Sequence, residues 1–118
     1  MDRAIAPNEA AVVRWLLDHA PVGDVAPYRI PPVEELRVLE GCDCGCASLD
    51  FQEDAWGGAA IIADAFAGYP DGQRAGLILW GREGEIVLLE IYDHQHPGTS
   101  HRFPVIADLR SYQEHGWG

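Results

Sequence analysis

The cysteines are the most reactive side chains of this chain, and all three lie in one short segment. Cys42, Cys44 and Cys46 occupy alternate positions, with Asp43 and Gly45 between them. Zinc holds each thiolate sulfur at about 2.3 Å, so two sulfurs on one ion lie within about 4 Å of each other. Alternate residues of an extended strand lie about 6.5 to 7 Å apart. A zinc site here therefore requires the segment to curl, which the conformational freedom of Gly45 permits.

Three interpretations of the cysteine segment are open. Cysteines can fill a tight turn in which larger side chains would not fit, and we favour this structural role. Zinc binding is the second interpretation, and it needs a fourth ligand from elsewhere in the chain. A redox-active dithiol is the third, although no basic residue lies beside the thiols in sequence and Asp43 disfavours the thiolate form.

Histidines supply a second candidate site. His94 and His96 form a His-x-His pair, and His101 follows shortly after them. In an extended segment such a pair can point both rings to one side, and three imidazoles can hold a catalytic metal ion with an open coordination position. The same histidines are the available source of a fourth ligand for zinc at the cysteines. The residues at 97–100 have turn composition, however, which favours a solvated loop that binds no metal.

The net charge of −11 narrows the class of partner. Neutralising phosphates supplies most of the affinity in nucleic-acid binding, so this acidic chain is not expected to bind DNA or RNA. The sequence has no apolar run long enough to cross a bilayer, and it does not start with the basic and apolar segments of a secretion signal. An odd number of closely spaced cysteines is unsuited to a disulfide framework. We therefore expect a cytoplasmic protein with no membrane or nucleic-acid partner.

The order of elements predicts a single α+β domain over residues 1–118. Apolar residues at helical spacing predict a helix over 9–19, with Asn8 as its N-cap. The prolines of 21–35 predict an extended connection without regular backbone hydrogen bonding.

The segment 36–93 is expected to form an antiparallel sheet of four or five strands, with one face packed by the amino-terminal helix. Its clearest part is a central hairpin, predicted by two apolar runs around a glycine turn. Residues 59–63 fit either a strand or the start of a short helix, because alanine is a weak strand former. Over 94–118 we expect a loop and a short helical turn capped by Asp108. The two strands of the hairpin are predicted at 75–81 and 85–92, and further strands are predicted at 36–40 and 48–52.

Three segments of the chain resemble a family of small, uncharacterised bacterial proteins. They are the cysteine segment with the strand after it, the run Gly-Leu-Ile-Leu-Trp and the run Leu-Glu-Ile-Tyr-Asp, at residues 42–51, 76–80 and 89–93. The resemblance extends over roughly residues 36–112 and implies the same order of strands. It implies no catalytic or binding residues, because no activity is established for that family.

The chain has neither a glycine-rich phosphate loop nor a nucleophile elbow, so we do not expect an enzyme. A small acidic domain of this kind favours a non-enzymatic protein-interaction function, with another protein or a second copy as partner. An immunity-type protein that neutralises a basic toxin is one version. The alternative is a metal-binding domain that uses the cysteines, with or without the histidines, and zinc is the one cofactor considered. The aromatic residues expected on the interaction surface are Trp56, Tyr69, Trp80, Tyr92 and Trp117.

Overall fold

An α-helix and two antiparallel sheets make up the described part of the protein. The computed structural model describes residues 3–29, 32–39, 48–52, 57–93 and 103–112. The helix and strands are α1 Pro7–His19, β1 Arg3–Ala4, β2 Arg37–Val38, β3 Leu49–Asp50, β4 Ala60–Gly68, β5 Arg74–Arg82, β6 Glu85–Asp93 and β7 Leu109–Arg110.

The larger sheet has five strands in the spatial order β3-β6-β5-β4-β7, and β1 pairs with β2 in the smaller sheet. All of these pairings are antiparallel. Side chains of α1 join those of the larger sheet in one buried core. The predicted α+β class, with an antiparallel sheet packed by an amino-terminal helix, is therefore confirmed.

The helix begins earlier in the chain than the sequence predicts. Pro7 lies in its first turn, where the missing N–H removes no intrahelical hydrogen bond. The N–H of Ala6, the residue before the helix, donates to Oε1 of Glu9 at 2.8 Å. The prediction of Asn8 as N-cap is therefore wrong, and its Nδ2 instead donates to the carbonyl of Pro104 at 3.0 Å. No helix in the described ranges is long and apolar enough to span a membrane.

Arg3 ties β1 to this end of the helix. Its two terminal nitrogens donate to the two carboxylate oxygens of Glu9, each at 2.8 Å. These hydrogen bonds hold the pKa of Glu9 below its ordinary value, against the opposing effect of burial. The N–H of Ile5 donates to the carbonyl of Leu36 at 3.1 Å, which continues the pairing between β1 and the chain that leads into β2. The amino-terminal strand is thus fixed both to the helix and to the smaller sheet.

The core lies between α1 and one face of the larger sheet. On that face β4 presents alanines, and Ala63, Ala65 and Ala67 are completely buried. Leu77 and Leu79 of β5 lie opposite Ala65 and Ala63 and are also completely buried. Because alanine side chains are short, the larger side chains of the helix can pack over β4 without leaving a void. The buried residues of α1 are Ala10, Val12, Val13, Leu16 and Leu17.

Short segments cover the outer strands of the larger sheet. Beside β4, the N–H of Val22 donates to the carbonyl of Ile62 at 2.9 Å, and β7 pairs with Phe66 and the residue after it. At the opposite edge, Leu39 bridges to Asp50 and so links β3 to the chain that leaves the smaller sheet. Strand edges that are short or paired in this way are protected from pairing with other chains.

The hairpin prediction is confirmed, because β5 and β6 pair along their length around Glu83 and Gly84. Both turn residues have positive φ, 53° and 80°, the combination that a type I′ turn requires. Strand and helix were both possible for residues 59–63, and 60–63 form the first part of β4, which pairs with β5 as far as Gly68. The helical alternative is wrong, because the alanines of β4 occupy strand positions that face the core.

Two other expectations differ from the structure. The proline-rich connection contains 3₁₀ segments at Ala26–Arg29 and Val33–Glu35, since single turns of this kind need few backbone hydrogen bonds. The helical turn predicted to begin at Asp108 is wrong: a 3₁₀ segment ends there, and β7 follows. The carboxylate of Asp108 accepts the N–H of Val105 at 3.2 Å, so it caps the turn before it.

Replacing Glu9 by glutamine should remove the ion pair with Arg3 but keep an oxygen for the Ala6 N–H. Because the side chain of Arg3 is 51% exposed, Glu9→Gln should lower the free energy of unfolding by at most about 1 kcal/mol. Glu9→Ala should cost about 1 kcal/mol more, because it also removes the cap. Urea denaturation of the three proteins over a range of pH measures these differences.

The pH dependence identifies the source of the effect. A carboxyl whose pKa is lowered by folding contributes stability above its ordinary pKa, here 4.5, and that contribution is lost as pH falls through the folded-state value. The difference in free energy of unfolding between wild type and Glu9→Gln should therefore be constant above this pH and become smaller in acid. A difference that persists unchanged in acid would contradict a role for the charge of Glu9.

Candidate interaction surface

The metal-ligating residues predicted from the sequence, Cys42, Cys44, Cys46, His94, His96 and His101, all lie outside the described residues. Zinc binding at these positions therefore stays a prediction. Within the described ranges, no group of three or more His, Cys, Asp and Glu side chains could hold a metal ion. A different set of side chains does come together, on the face of the larger sheet opposite α1.

Side chains along β4, β5 and β6 alternate between the two faces of the sheet. Since Ala63, Ala65, Leu77 and Leu79 point into the core shared with α1, the residues between them point the other way. We call this other side the aromatic face. Its three rows, each read from β4 through β5 to β6, are Ile61-Trp80-Leu88, Asp64-Ile78-Glu90 and Phe66-Gly76-Tyr92.

The first row is centred on Trp80, which is half-buried, beside Ile61, whose exposed fraction is 39%. The strand pairing shifts on both sides of this position, at Ile62 in β4 and at Val87 in β6. Such β-bulges increase the local twist and redirect side chains. Trp80 packs against Val87 and Leu88, which form a second, smaller apolar cluster. The indole is thus supported from one side while part of it stays in contact with solvent.

Two carboxylates lie in the middle row, on the two strands that flank β5. Glu90 accepts a hydrogen bond from the indole Nε1 of Trp80 at 3.2 Å. Asp64 lies at the other end of the row, and its Oδ1 atom is buried. Between them is Ile78, which is half-buried, so solvent reaches the centre of the face. The row therefore combines negative charge with an apolar floor.

The third row depends on a glycine. A Cβ atom at Gly76 would lie 2.3 Å from Cζ of Tyr92, so the Tyr92 ring can lie across β5 only because that position has no side chain. Phe66 contacts Tyr112, which follows β7, with the ring centroids 5.2 Å apart. The guanidinium of Arg74 lies 5.5 Å from the centroid of Phe66, within range of a cation–π interaction.

Tyr92 and Tyr112 form a hydrogen-bonded pair of phenols. Burial raises the pKa of both, and the negative charge of Asp64 raises them further. Glu90 also raises the pKa of Tyr92. The hydrogen bond between the phenols raises the pKa of Tyr112 and lowers that of Tyr92. Both phenols therefore stay protonated near neutral pH and can act as hydrogen-bond donors.

The side chains of the three rows, with Tyr112 beside them, suit recognition of a partner. They provide aromatic contact area, two carboxylates and protonated phenols. Such a mixture of apolar surface and fixed polar groups is typical of binding sites.

The aromatic surface predicted from the sequence corresponds only in part to this face. Trp80 and Tyr92 lie on it and are half-buried, whereas Tyr69 is 7% exposed and belongs to the core. Its prediction as a surface residue is wrong, because the chain turns there to begin the β4–β5 connection and the ring packs inward. Trp56 and Trp117 lie outside the described residues. Sequence reasoning missed Tyr112, Asp64 and Glu90, although the alternation along β6 could have placed Glu90 beside Tyr92.

A comparison of the chain with protein-family models, curated protein sequences and solved structures found no match. The resemblance to a family of small bacterial proteins therefore stays a prediction. The function has to be argued from the aromatic face itself.

Gly76→Ala should destabilise the protein by about 1 to 3 kcal/mol, because the new methyl group displaces the Tyr92 ring from a packed position. Gly68→Ala is the matched control, since a Cβ there meets no atom within 4 Å. It should be neutral or stabilising by about 0.5 kcal/mol. Chemical denaturation measures both changes. Equal effects of the two substitutions would contradict the contact between Gly76 and Tyr92.

Tyr92 and Tyr112 should ionise later in an alkaline titration than exposed tyrosines, because their pKa values are raised above the ordinary 10.0. Tyr92→Phe and Tyr112→Phe should each remove a late component of the tyrosinate absorbance. A pKa raised by folding contributes stability that is complete below the ordinary value and is lost as pH rises towards the folded-state value. Tyrosinate formation complete near the ordinary pKa in the folded protein would contradict the burial of this pair.

Proposed function

We propose that the protein is a non-enzymatic protein-interaction domain that binds a basic partner protein through its aromatic face. The observation that carries the proposal is the grouping of half-buried Trp80 and Tyr92 with Ile61, which is 39% exposed, on the sheet face opposite the described helix. Tryptophan and tyrosine supply large contact areas and dominate the binding energy of many protein interfaces. Partial exposure leaves area for a partner to bury.

Charge favours a basic partner over a second copy of the chain. The net charge is −11, and the middle row of the face carries Asp64 and Glu90, with Arg74 and Arg110 at its edge beside Phe66. Two copies of so acidic a chain would repel one another as whole molecules, whereas a cationic protein would be attracted and guided into contact. An aromatic patch with carboxylates at its centre is therefore complementary to an apolar surface that carries positive charge.

An immunity-type protein that neutralises a basic toxin is one form of this function, and the acidic charge supports it. The domain would act in the bacterial cytoplasm, a reducing compartment suited to three closely spaced cysteines. No catalytic step is part of the proposal, since the groups of the aromatic face suit binding.

The partner can be captured on immobilised protein, identified by mass spectrometry, purified and titrated calorimetrically. We expect a complex with a dissociation constant of about 1 μM or tighter. Trp80→Thr and Ile61→Thr should each weaken it at least about tenfold, because both side chains lie on the proposed contact surface. Ile61→Thr removes little buried area, so it keeps the test valid if Trp80→Thr impairs folding.

Ile106→Thr is the matched control, because Ile106 is 45% exposed and lies on a 3₁₀ segment that contacts α1, outside the three rows of the aromatic face. It should change the affinity by less than about twofold. A purified partner that binds wild type and both aromatic-face variants equally would overturn the proposal. Sedimentation that reveals a dimer dissociated by Trp80→Thr would replace the basic partner by a second copy of the chain.

A further inference from the structure

The middle row of the aromatic face has the charge and spacing to receive a single cationic side chain. This inference rests on the proposed function, because it specifies what the partner presents to the face. Asp64 and Glu90 lie on β4 and β6, with β5 between them. Neighbouring strands lie about 4.8 Å apart, so the backbones that carry the two carboxylates are separated by about 10 Å.

That separation suits a planar cation better than a metal ion. Calcium holds its oxygen ligands at about 2.3 to 2.6 Å, so two carboxylates on one ion must converge within about 5 Å. The side chain of Ile78 stands between Asp64 and Glu90 and opposes such convergence. A guanidinium with a hydrogen bond of about 2.8 Å at each edge can bridge the wider gap.

The neighbouring rows favour the same ligand. Trp80 and Tyr92 precede and follow the middle row along the sheet, so a cation above Ile78 would have an aromatic ring on each side. Guanidinium groups stack on aromatic rings and are more weakly hydrated than ammonium groups, so they lose less when moved out of water. The half-buried Ile78 provides an apolar floor beneath the plane of the group.

The existing contacts leave these groups in a fixed geometry. The indole N–H of Trp80 holds one oxygen of Glu90, Oε1, at 3.2 Å. Three arginines at the corners of the sheet make their own contacts: Arg74 lies over the ring of Phe66, Arg82 donates to the carbonyl of Gly57, and Arg110 donates to carbonyls of Ala107 and Leu109 at 2.7 Å. A binding site whose groups are already positioned loses less entropy on binding.

We propose that Asp64 and Glu90 together bind one arginine side chain of the basic partner. The guanidinium lies over Ile78, between the rings of Trp80 and Tyr92. Each carboxylate accepts an N–H from one edge of the group, and the rings contact its plane or its edges. Arginine is thus the residue that anchors the partner to the aromatic face.

A blocked tripeptide, glycyl-arginyl-glycine, is the probe, titrated into isotope-labelled protein at low ionic strength and followed by NMR. The chain has four tryptophans, so Trp80→Phe assigns the indole N–H of Trp80. We expect saturable shifts of that indole and of the backbone amide of Ile78, with a dissociation constant on the order of 1 mM. The citrullyl peptide, a neutral isostere, should give no saturable shift, and the lysyl peptide should bind several-fold more weakly.

Asp64→Asn/Glu90→Gln should weaken binding of the arginyl peptide at least about tenfold. The control Asp18→Asn/Glu35→Gln removes the same charge from exposed positions elsewhere and should change the affinity by less than about twofold. If the first double variant fails to fold, Glu90→Gln alone tests the site, because glutamine still accepts the Trp80 hydrogen bond. Equal shifts from the arginyl and citrullyl peptides, or equal weakening by the two double variants, would overturn the arginine site.

Failure of this inference is separable from failure of the proposed function. A purified partner that requires Trp80 and Ile61 but tolerates Asp64→Asn/Glu90→Gln would overturn the arginine site and leave the interaction face standing. An arginyl peptide that binds as expected, together with a partner that ignores all aromatic-face substitutions, would overturn only the proposed function.

Discussion

The central strand of the larger sheet has a tyrosine ring packed over a glycine on each of its faces. A Cβ at Gly76 would lie 2.3 Å from Cζ of Tyr92, and one at Gly81 would lie 2.5 Å from Cε1 of Tyr28. Neither ring could occupy its place if β5 carried a side chain there, because protein interiors have no spare volume of that size. The two glycines therefore let one strand serve two purposes: Tyr28 attaches the connection after α1 to the core side, and Tyr92 shapes the aromatic face.

The same strand is where the sheet changes its twist. Pairing shifts at Ile62 and Val87 flank the dipeptide of Trp80 and Gly81, so both neighbours of β5 are bulged at one level. Bulges turn side chains relative to the regular rows and are common next to binding sites. Here Gly81 faces the core and contacts Tyr28, whereas Trp80 lies on the opposite side of the sheet and donates a hydrogen bond to Glu90. The position of the indole therefore depends on β5, which carries Trp80, and on the bulges of its two neighbours, β4 and β6.

Much of the sheet could be predicted from local sequence, but the face could not. The apolar runs of β5 and β6 and their turn are local signals, so the hairpin was predictable to within about a residue at each end. β4 was ambiguous because its alanines favour a helix on their own, and only pairing with β5 decides for a strand. β2 and β3 lie within the predicted strands 36–40 and 48–52, whereas β1 and β7 are two residues each and too short to show periodicity. Asp64, Glu90 and Tyr112 come together through strand register and through β7, neither of which a single sequence specifies.

The location of carboxylates among aromatic rings limits what can cover the face. A purely apolar partner would take Asp64 and Glu90 out of water, at an effective cost of several kcal/mol per ion that buried aromatic area would have to offset. A second copy related by a two-fold axis would bring its own carboxylates to the same interface, together with the edge arginines Arg74 and Arg110, because such an axis brings identical patches together. A guanidinium offsets this cost of desolvation, since it supplies charge-assisted hydrogen bonds to the carboxylates and contacts the rings at the same time. The face therefore selects its partner by desolvation cost as well as by attraction: a surface without a suitably placed cation takes two carboxylates out of water and supplies no charge to them.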